Sequence, residues 1–390
     1  MNPPTDFRPL FLLDPDIAFL NHGSYGACPR AVFEDYQRWQ RELEHQPIEF
    51  LTRRRGDLLA EARGALGRYL GVDGDDVVFF PNPSHAINAV ARSLKLAPGD
   101  EILTTDHEYG AMDRTWTLMC RKAGAMYVHC PIPLPVTSHA DFVERFWAAV
   151  GPRTRAVFLS HITSPTALAF PVEEICRRAR AAGILSIVDG AHAPGQVPLD
   201  LSHLGADVYT GACHKWMCAP KGSAFLYASD AVQSWLEPLV VSWGWGDDSI
   251  AARPGLGPTR FVSFHEWQGT RDIAAFLAVP SAIRFQAEHD WPAVRQSCRA
   301  LLSETRARIE ALTGLPPICP DSPEWFTQLA TAELPEAVDA DQLQRRLWQE
   351  FRVEVPIMQW NGRKLLRVSI QAYNTRADAD RLVDALRRCL

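Results

Sequence analysis

Two short stretches carry side chains whose types matter for chemistry. Asp189-Gly190-Ala191-His192 follows the apolar run "ILSIV", and His214-Lys215-Trp216 follows the run "ADVYT". A lysine between a histidine and a tryptophan, in a segment flanked by Gly211 and Gly222, is not set as a solvated surface lysine is. If both runs are strands of one parallel sheet, their carboxyl ends bring an acid and an amine over one crevice. Pyridoxal phosphate needs that pair. The amine forms a Schiff base with the cofactor aldehyde, and a buried carboxylate keeps the pyridine nitrogen protonated so that the ring accepts electrons from a carbanion. The phosphate needs a cradle, and Asn82-Pro83-Ser84-His85 stands between "VVFF" and a helix-period segment. Ser or Asn in capping position there leaves backbone N–H groups and the helix dipole facing an anion. Each feature alone reads equally as a turn, a cap or a solvated side chain. Their order along the chain carries the reading.

The elements that must position them alternate. "DVVFF" (76–80) precedes "SHAINAVARSLKL" (84–96), "EILTT" (101–105) precedes "MDRTWTLMCRKAG" (112–124), and "AVFLSHIT" (156–163) precedes "VEEICRRARAAG" (172–183). Then come "ILSIVDG" (184–190), "ADVYTGA" (206–212) and "SAFLYA" (223–228). Continuous apolar strands between amphipathic helices predict a mainly parallel sheet covered on both faces. From about residue 281 the texture changes to long charged helices, then "KLLRVSI" (364–370) and a last helix over 375–389, which predicts a smaller α+β domain. The boundaries expected are an N-terminal segment over 1–25, a large domain over 26–280 and a small domain over 281–390.

Composition narrows the partners. With 390 residues, 47% hydrophobic and 22% charged, the chain is long enough for a sizeable core and two domains. A net charge of -6 without a basic stripe argues against nucleic acid and anionic membranes. No apolar run approaches a membrane span, and "MNPPTDFRPLFLLDPD" lacks the basic-then-apolar order of a signal peptide. Nine scattered cysteines without C-x-x-C indicate neither a disulfide framework nor a metal site. The expectation is a cytoplasmic enzyme acting on a small molecule.

"SIVDGAHAPGQVPLDLSHLGADVYTGACHKWMCAPKG" resembles the signature of the class V aminotransferase family of fold-type I pyridoxal-phosphate enzymes, and further matching stretches extend the resemblance over nearly the whole chain. Within that family, "FLNHGSYGACPRAVFEDYQRWQRELEHQPIEFL" is most similar to the isopenicillin N epimerase-like group, which also holds carbon–sulfur lyases. The resemblance implies an α/β fold with a seven-stranded sheet, pyridoxal 5'-phosphate as cofactor, Lys215 as the covalent anchor and Asp189 at the ring nitrogen. It implies Tyr109 stacked on the ring, His192 and Ser164 near the phenolic oxygen, and Ser84, His85 and His214 around the phosphate. Thr270 in "WQGTRDIAAF" matches a Gly-Thr that reaches the neighbouring subunit's phosphate, which implies a homodimer. Arg367 on "LLRVSI" is expected to hold a substrate carboxylate, since a guanidinium fork suits it bidentately. Asn21 and His22 are expected close to the substrate, Trp216 beneath the phosphate, and the tryptophans of "SWGWG" (242–246) with Trp267 around a side-chain pocket.

These residues imply an α-carbanion enzyme acting on an amino acid or derivative, with racemisation, β-elimination and transamination all open. Cysteine desulfuration is disfavoured, because "RVEVPIMQWNGRKLLR" before Arg367 has no cysteine to take up sulfur. A second side-chain cation for a dicarboxylate has one candidate, Arg271. A nicotinamide dehydrogenase would want G-x-G-x-x-G after the first strand, which is missing.

Overall fold

A computed structural model describes residues 6–246 and 257–390. Among these, the central sheet has seven strands: β2 (Val77–Phe80), β3 (Glu101–Thr105), β4 (Met126–Cys130), β5 (Thr154–Ser160), β6 (Leu185–Gly190), β7 (Val208–Ala212) and β8 (Ala224–Ala228). Their order is β2-β8-β7-β6-β5-β3-β4. All neighbours pair in parallel except β8, which runs antiparallel to both β7 and β2. The apolar runs have a simple cause. Val77, Phe79, Leu103, Val157, Leu159, Val188, Tyr209 and Phe225 pack into the core on one face. Val78, Phe80, Ile102, Ala156, Phe158, Ile187, Val208 and Leu226 pack into a second core on the other. A strand apolar on both sides loses the polar alternation of a half-exposed strand. The edge strand β4 escaped prediction because "MYVHC" has only one neighbour, β3, and stays largely open to solvent.

The C-terminal part is built on an antiparallel sheet of β9 (Leu329–Leu334), β12 (Arg363–Ser369) and β11 (Ile357–Trp360), with Arg367 opposite Thr331. The charged stretch after residue 279 forms two helices, Val279–Glu288 and Trp291–Thr313. The break falls at Asp290, in left-handed conformation at φ 45°, whose carboxylate caps the second helix.

The N-terminal segment ties the two parts together. Its strand β1 (Ala18–Phe19) pairs in parallel with β10 (Val353–Glu354), and the Leu20 carbonyl accepts the Ser369 amide at 2.9 Å. It then runs across to the Lys215 segment. Gly26 sits there at φ +71°, and a Cβ on it would lie 1.9 Å from the His214 carbonyl oxygen. No side chain fits that space without moving backbone. Gly26→Ala should therefore destabilise the protein by about 2–4 kcal/mol, from backbone strain plus overpacking. Denaturant unfolding checks this, and unchanged stability would mean that the segment does not lie against His214.

Candidate active site

The carboxyl ends of β2, β3, β5, β6 and β7 open into one cavity of about 540 Å³. Its lining includes Ser84 and His85 after β2, Tyr109 after β3, Ser164 after β5, Asp189 and His192 at the end of β6, and His214 and Lys215 after β7. Residues far apart in sequence thus converge because each strand delivers its following loop to the same edge.

Asp189 is 3% exposed, and its Oδ1 accepts the Ala191 amide at 2.9 Å. Its Oδ2 has no donor among the described residues, so one carboxylate oxygen remains free at the cavity. Burial pushes the Asp189 carboxyl up, opposed by that amide and by the Lys215 charge. The Lys215 amine lies 3.1 Å from His192 Nε2. Burial, joined by the Arg367 charge and opposed by Asp189, lowers its pKa to about 7. An amine so placed is partly neutral near pH 7, the form that acts as nucleophile and base.

The helix Pro83–Ser93 begins at the cavity. Asn82 is its cap, with Oδ1 accepting the His85 amide at 3.0 Å. The Ser84 side chain makes no hydrogen bond among the described residues and is free for a ligand. His214 Nδ1–H donates to the Ser223 carbonyl at 2.9 Å, and burial holds the ring neutral by lowering its pKa to about 4. Tyr109 caps the helix Gly110–Ala123 and is 48% exposed, its ring bare toward the cavity.

Arg367 is 3% exposed. Its Nη1 donates to the Ser164 carbonyl at 2.8 Å and hydroxyl at 3.1 Å, and its Nη2 to the Ser24 hydroxyl at 3.0 Å. Nε has no partner, and no carboxylate pairs with this guanidinium among the described residues. Burial lowers its pKa to about 10. A buried cation held only by neutral groups can still take an anionic partner. The hairpin that carries it is anchored: Trp360 Nε1–H donates to the Asp106 carbonyl at 2.7 Å, and the Asn361 amide to the Asp106 carboxylate at 2.8 Å.

Several expectations need correction. His22 is fully buried rather than facing a substrate. It bonds the Tyr373 hydroxyl at 2.9 Å and the Lys215 carbonyl at 3.0 Å, so it supports the Lys215 segment from behind. Asn21 turns to Glu354, at 2.9 Å, and accepts from the Ser24 hydroxyl at 2.6 Å. Neither lines the cavity; Ser24 and Tyr25 do. Trp216 packs between His22 and His192 instead of beneath the phosphate cradle. Trp243 and Trp245 are exposed and outside the lining, and Trp267 packs under Arg55. Thr270, expected at the neighbouring subunit's site rather than at this one, is exposed and lies outside this chain's own cavity. Arg271 is half-buried, over the Phe276 ring and bonded to the Glu266 carbonyl, away from the lining.

The chain matches the family described as Aminotransferase class-V over residues 27–382. It belongs to the class V aminotransferase family. It is 39% identical to isopenicillin N epimerase of Streptomyces clavuligerus over 383 residues, covering 97% of this chain and 96% of that protein. It is 29% identical to putative L-cysteine desulfhydrase 1 of Oryza sativa subsp. japonica, covering 95% of this chain and 83% of that protein. Among solved structures, the cysteine desulfurase from Thermococcus onnurineus NA1 matches in fold with a TM-score of 0.82 at 18% identity, covering 100% of this chain and 98% of that one. As a class V family enzyme it uses pyridoxal 5'-phosphate. The donor set suits that group: a free carboxylate oxygen, a buried amine, a bare aromatic ring, and an open helix start with a free hydroxyl meet in one cavity. No helix among the described residues is long and apolar enough to cross a membrane.

Sequence reasoning missed Glu108, next to Tyr109. It accepts the Ser160 amide at 2.9 Å, the Ser160 hydroxyl at 2.6 Å and the Thr105 hydroxyl at 2.6 Å. Burial raises its pKa from 4.5 to about 8, against those hydrogen bonds. The folded chain therefore holds this proton more tightly than the unfolded chain does. The contribution to stability is full below about pH 4.5 and is lost as pH rises through about 8. Glu108→Gln should keep the fold and remove that loss, so that the gap between variant and wild type in denaturant midpoint changes between pH 6 and 9. A constant gap over that range would show that Glu108 does not titrate there.

Proposed function

We propose that this enzyme is an epimerase of an α-amino acid or amino-acid derivative, similar in action to isopenicillin N epimerase, with Lys215 as base and Arg367 as the carboxylate site. The observation that carries it is a depressed amine in the cavity together with a buried guanidinium that lies outside the lining itself, bonds two of its residues, Ser24 and Ser164, and has no carboxylate of its own among the described residues. The relatives named isopenicillin N epimerase, at 39% identity over nearly all of both chains, support this reading over elimination.

Pyridoxal 5'-phosphate, when bound, supplies the electron-accepting ring that makes an α-carbanion accessible. Asp189 would keep the ring nitrogen protonated through its Oδ2, since Oδ1 is taken by the Ala191 amide. Ser84, His85 and His214 would hold the phosphate, Tyr109 would cover the ring, and His192 with Ser164 would border the phenolic oxygen. Arg367 orients the substrate by its carboxylate, fixing the α-proton toward Lys215. Lys215 Nζ then takes that proton. Inversion needs a proton returned to the second face, for which the lining offers Tyr25, Tyr109, His85, His192 and His214 beyond the base itself.

Carbon–sulfur lysis has one supporting observation, the L-cysteine desulfhydrase relatives. Transfer of sulfur to a protein thiol fits poorly, because burial raises the thiol pKa of Cys28 to about 12 and raises those of Cys213 and Cys218. All nine cysteines are free thiols, which suits a cytoplasmic enzyme. We also read the enzyme as a homodimer with Thr270 supplied to the neighbour's phosphate site. Its exposure, away from its own cavity, supports this.

Two experiments test these readings. In deuterated water with bulky α-amino acids and cysteine conjugates, the expected product is the deuterated opposite enantiomer without pyruvate. Pyruvate with ammonia would replace the epimerase by a lyase, and a ketoacid by a transaminase. For the dimer, mixed Lys215→Ala and Thr270→Ala subunits should regain activity, since half of the hybrid's sites carry neither defect. No recovery, in a mixture shown to exchange subunits, would put the whole site in one chain.

A further inference from the structure

We infer that Trp216 is a positioning residue that locks His192 in the Nε2–H tautomer and so disfavours the protonated form of Lys215. Trp216 Nε1 lies 3.2 Å from His192 Nδ1, with Trp216 fully buried and His192 2% exposed. An indole N–H only donates. His192 Nδ1 must therefore accept, and a neutral imidazole that accepts at Nδ1 carries its proton at Nε2. Burial together with the nearby Lys215, Arg367, His214 and His22 keeps this ring neutral.

The consequence falls on Lys215, 3.1 Å from Nε2. A neutral amine has a lone pair to accept the Nε2–H; an ammonium has none, and would set donor against donor. The opposite tautomer would do the reverse and stabilise the ammonium. Trp216 forbids that tautomer by occupying Nδ1 with a donor. The other ionisable groups around the amine are Asp189, which favours the ammonium, and Arg367, which opposes it, with His214 and His22 held neutral by burial. His22 steadies the arrangement from the far side. Its ring lies 4.9 Å from that of Trp216, and its Nε2–H donates to the Lys215 carbonyl at 3.0 Å. His22 has its own tautomer set the same way: Nε2 faces a carbonyl that only accepts, so Nδ1 accepts from the Tyr373 hydroxyl at 2.9 Å.

The inference rests on Lys215 being the reacting amine, but the tautomer of His192 does not. The first measurement is a nitrogen spectrum of the full chain carrying ¹⁵N-histidine, with the His192 signals identified by their loss in His192→Gln. Protonated Nε2 and bare Nδ1 are expected; a protonated Nδ1 in the wild type overturns the proposal, whether or not any tryptophan variant folds. The second compares wild type with Trp216→Phe, which keeps a buried ring and removes only the donor. Both are modified with labelled formaldehyde and cyanoborohydride across a pH series without cofactor, and methylation of Lys215 is followed by peptide mass. The wild-type midpoint is expected near 7, and that of Trp216→Phe higher by about one pH unit or more, as a released histidine turns from donor to acceptor. Equal midpoints would overturn the coupling. Borohydride labelling of another lysine in the holoenzyme would defeat the assignment of Lys215 as the reacting amine, and would leave the tautomer result standing.

Discussion

Among the described residues, two buried cations, Lys215 at the cavity and Arg367 against its Ser24 and Ser164 walls, have one carboxylate, Asp189, acting on the amine and none paired with the guanidinium. That imbalance is costly in an isolated fold, because a buried charge without a counter-ion loses its hydration and gains nothing in return. The molecule lessens the cost in two ways. Lys215 gives up part of its charge, its pKa falling to about 7. Arg367, which cannot do so at neutral pH, is instead wrapped by the Ser164 carbonyl and the hydroxyls of Ser164 and Ser24. What remains is an electrostatic demand for anions, which a phosphate and a carboxylate would meet.

Holding such a site requires a frame that does not relax around it. The central sheet provides one, since its strands are buried on both faces by separate cores. Close packing on both sides prevents strand ends from shifting to satisfy their own loops. The N-terminal segment completes the frame by pairing with β10 at one end and pressing Gly26 against His214 at the other. Behind Lys215, the layer of His22, Trp216 and His192 has each ring nitrogen bonded, leaving little freedom in tautomer or rotamer.

Much of this was legible in the sequence, for different reasons in different places. The strands β2, β3, β5, β6, β7 and β8 could be read because two-sided burial writes itself as uninterrupted apolar residues. The edge strand β4 could not, having one neighbour and open faces. Asp189, His192, His214 and Lys215 were legible because they stand directly after such strands, where a parallel sheet delivers its loops. Glu108 stands in the same kind of position yet reads as any surface glutamate, since nothing local signals that Ser160 and Thr105 will enclose it.

The sequence by itself determined the alternation of strands and helices, the acid and the amine at strand ends, and the arginine on a late strand, because each depends on short-range pattern. Only the tertiary structure decided which neighbours those groups meet. His22 and Asn21 look like entrance residues from "NHGSYG", yet chain entry beside β10 and close approach at Gly26 turn them inward to Lys215 and Glu354. Trp216 looks like packing, yet its one donor reaches His192. Hydrogen-bond direction and uncompensated charge belong to contacts between distant segments, and no local stretch of residues encodes them.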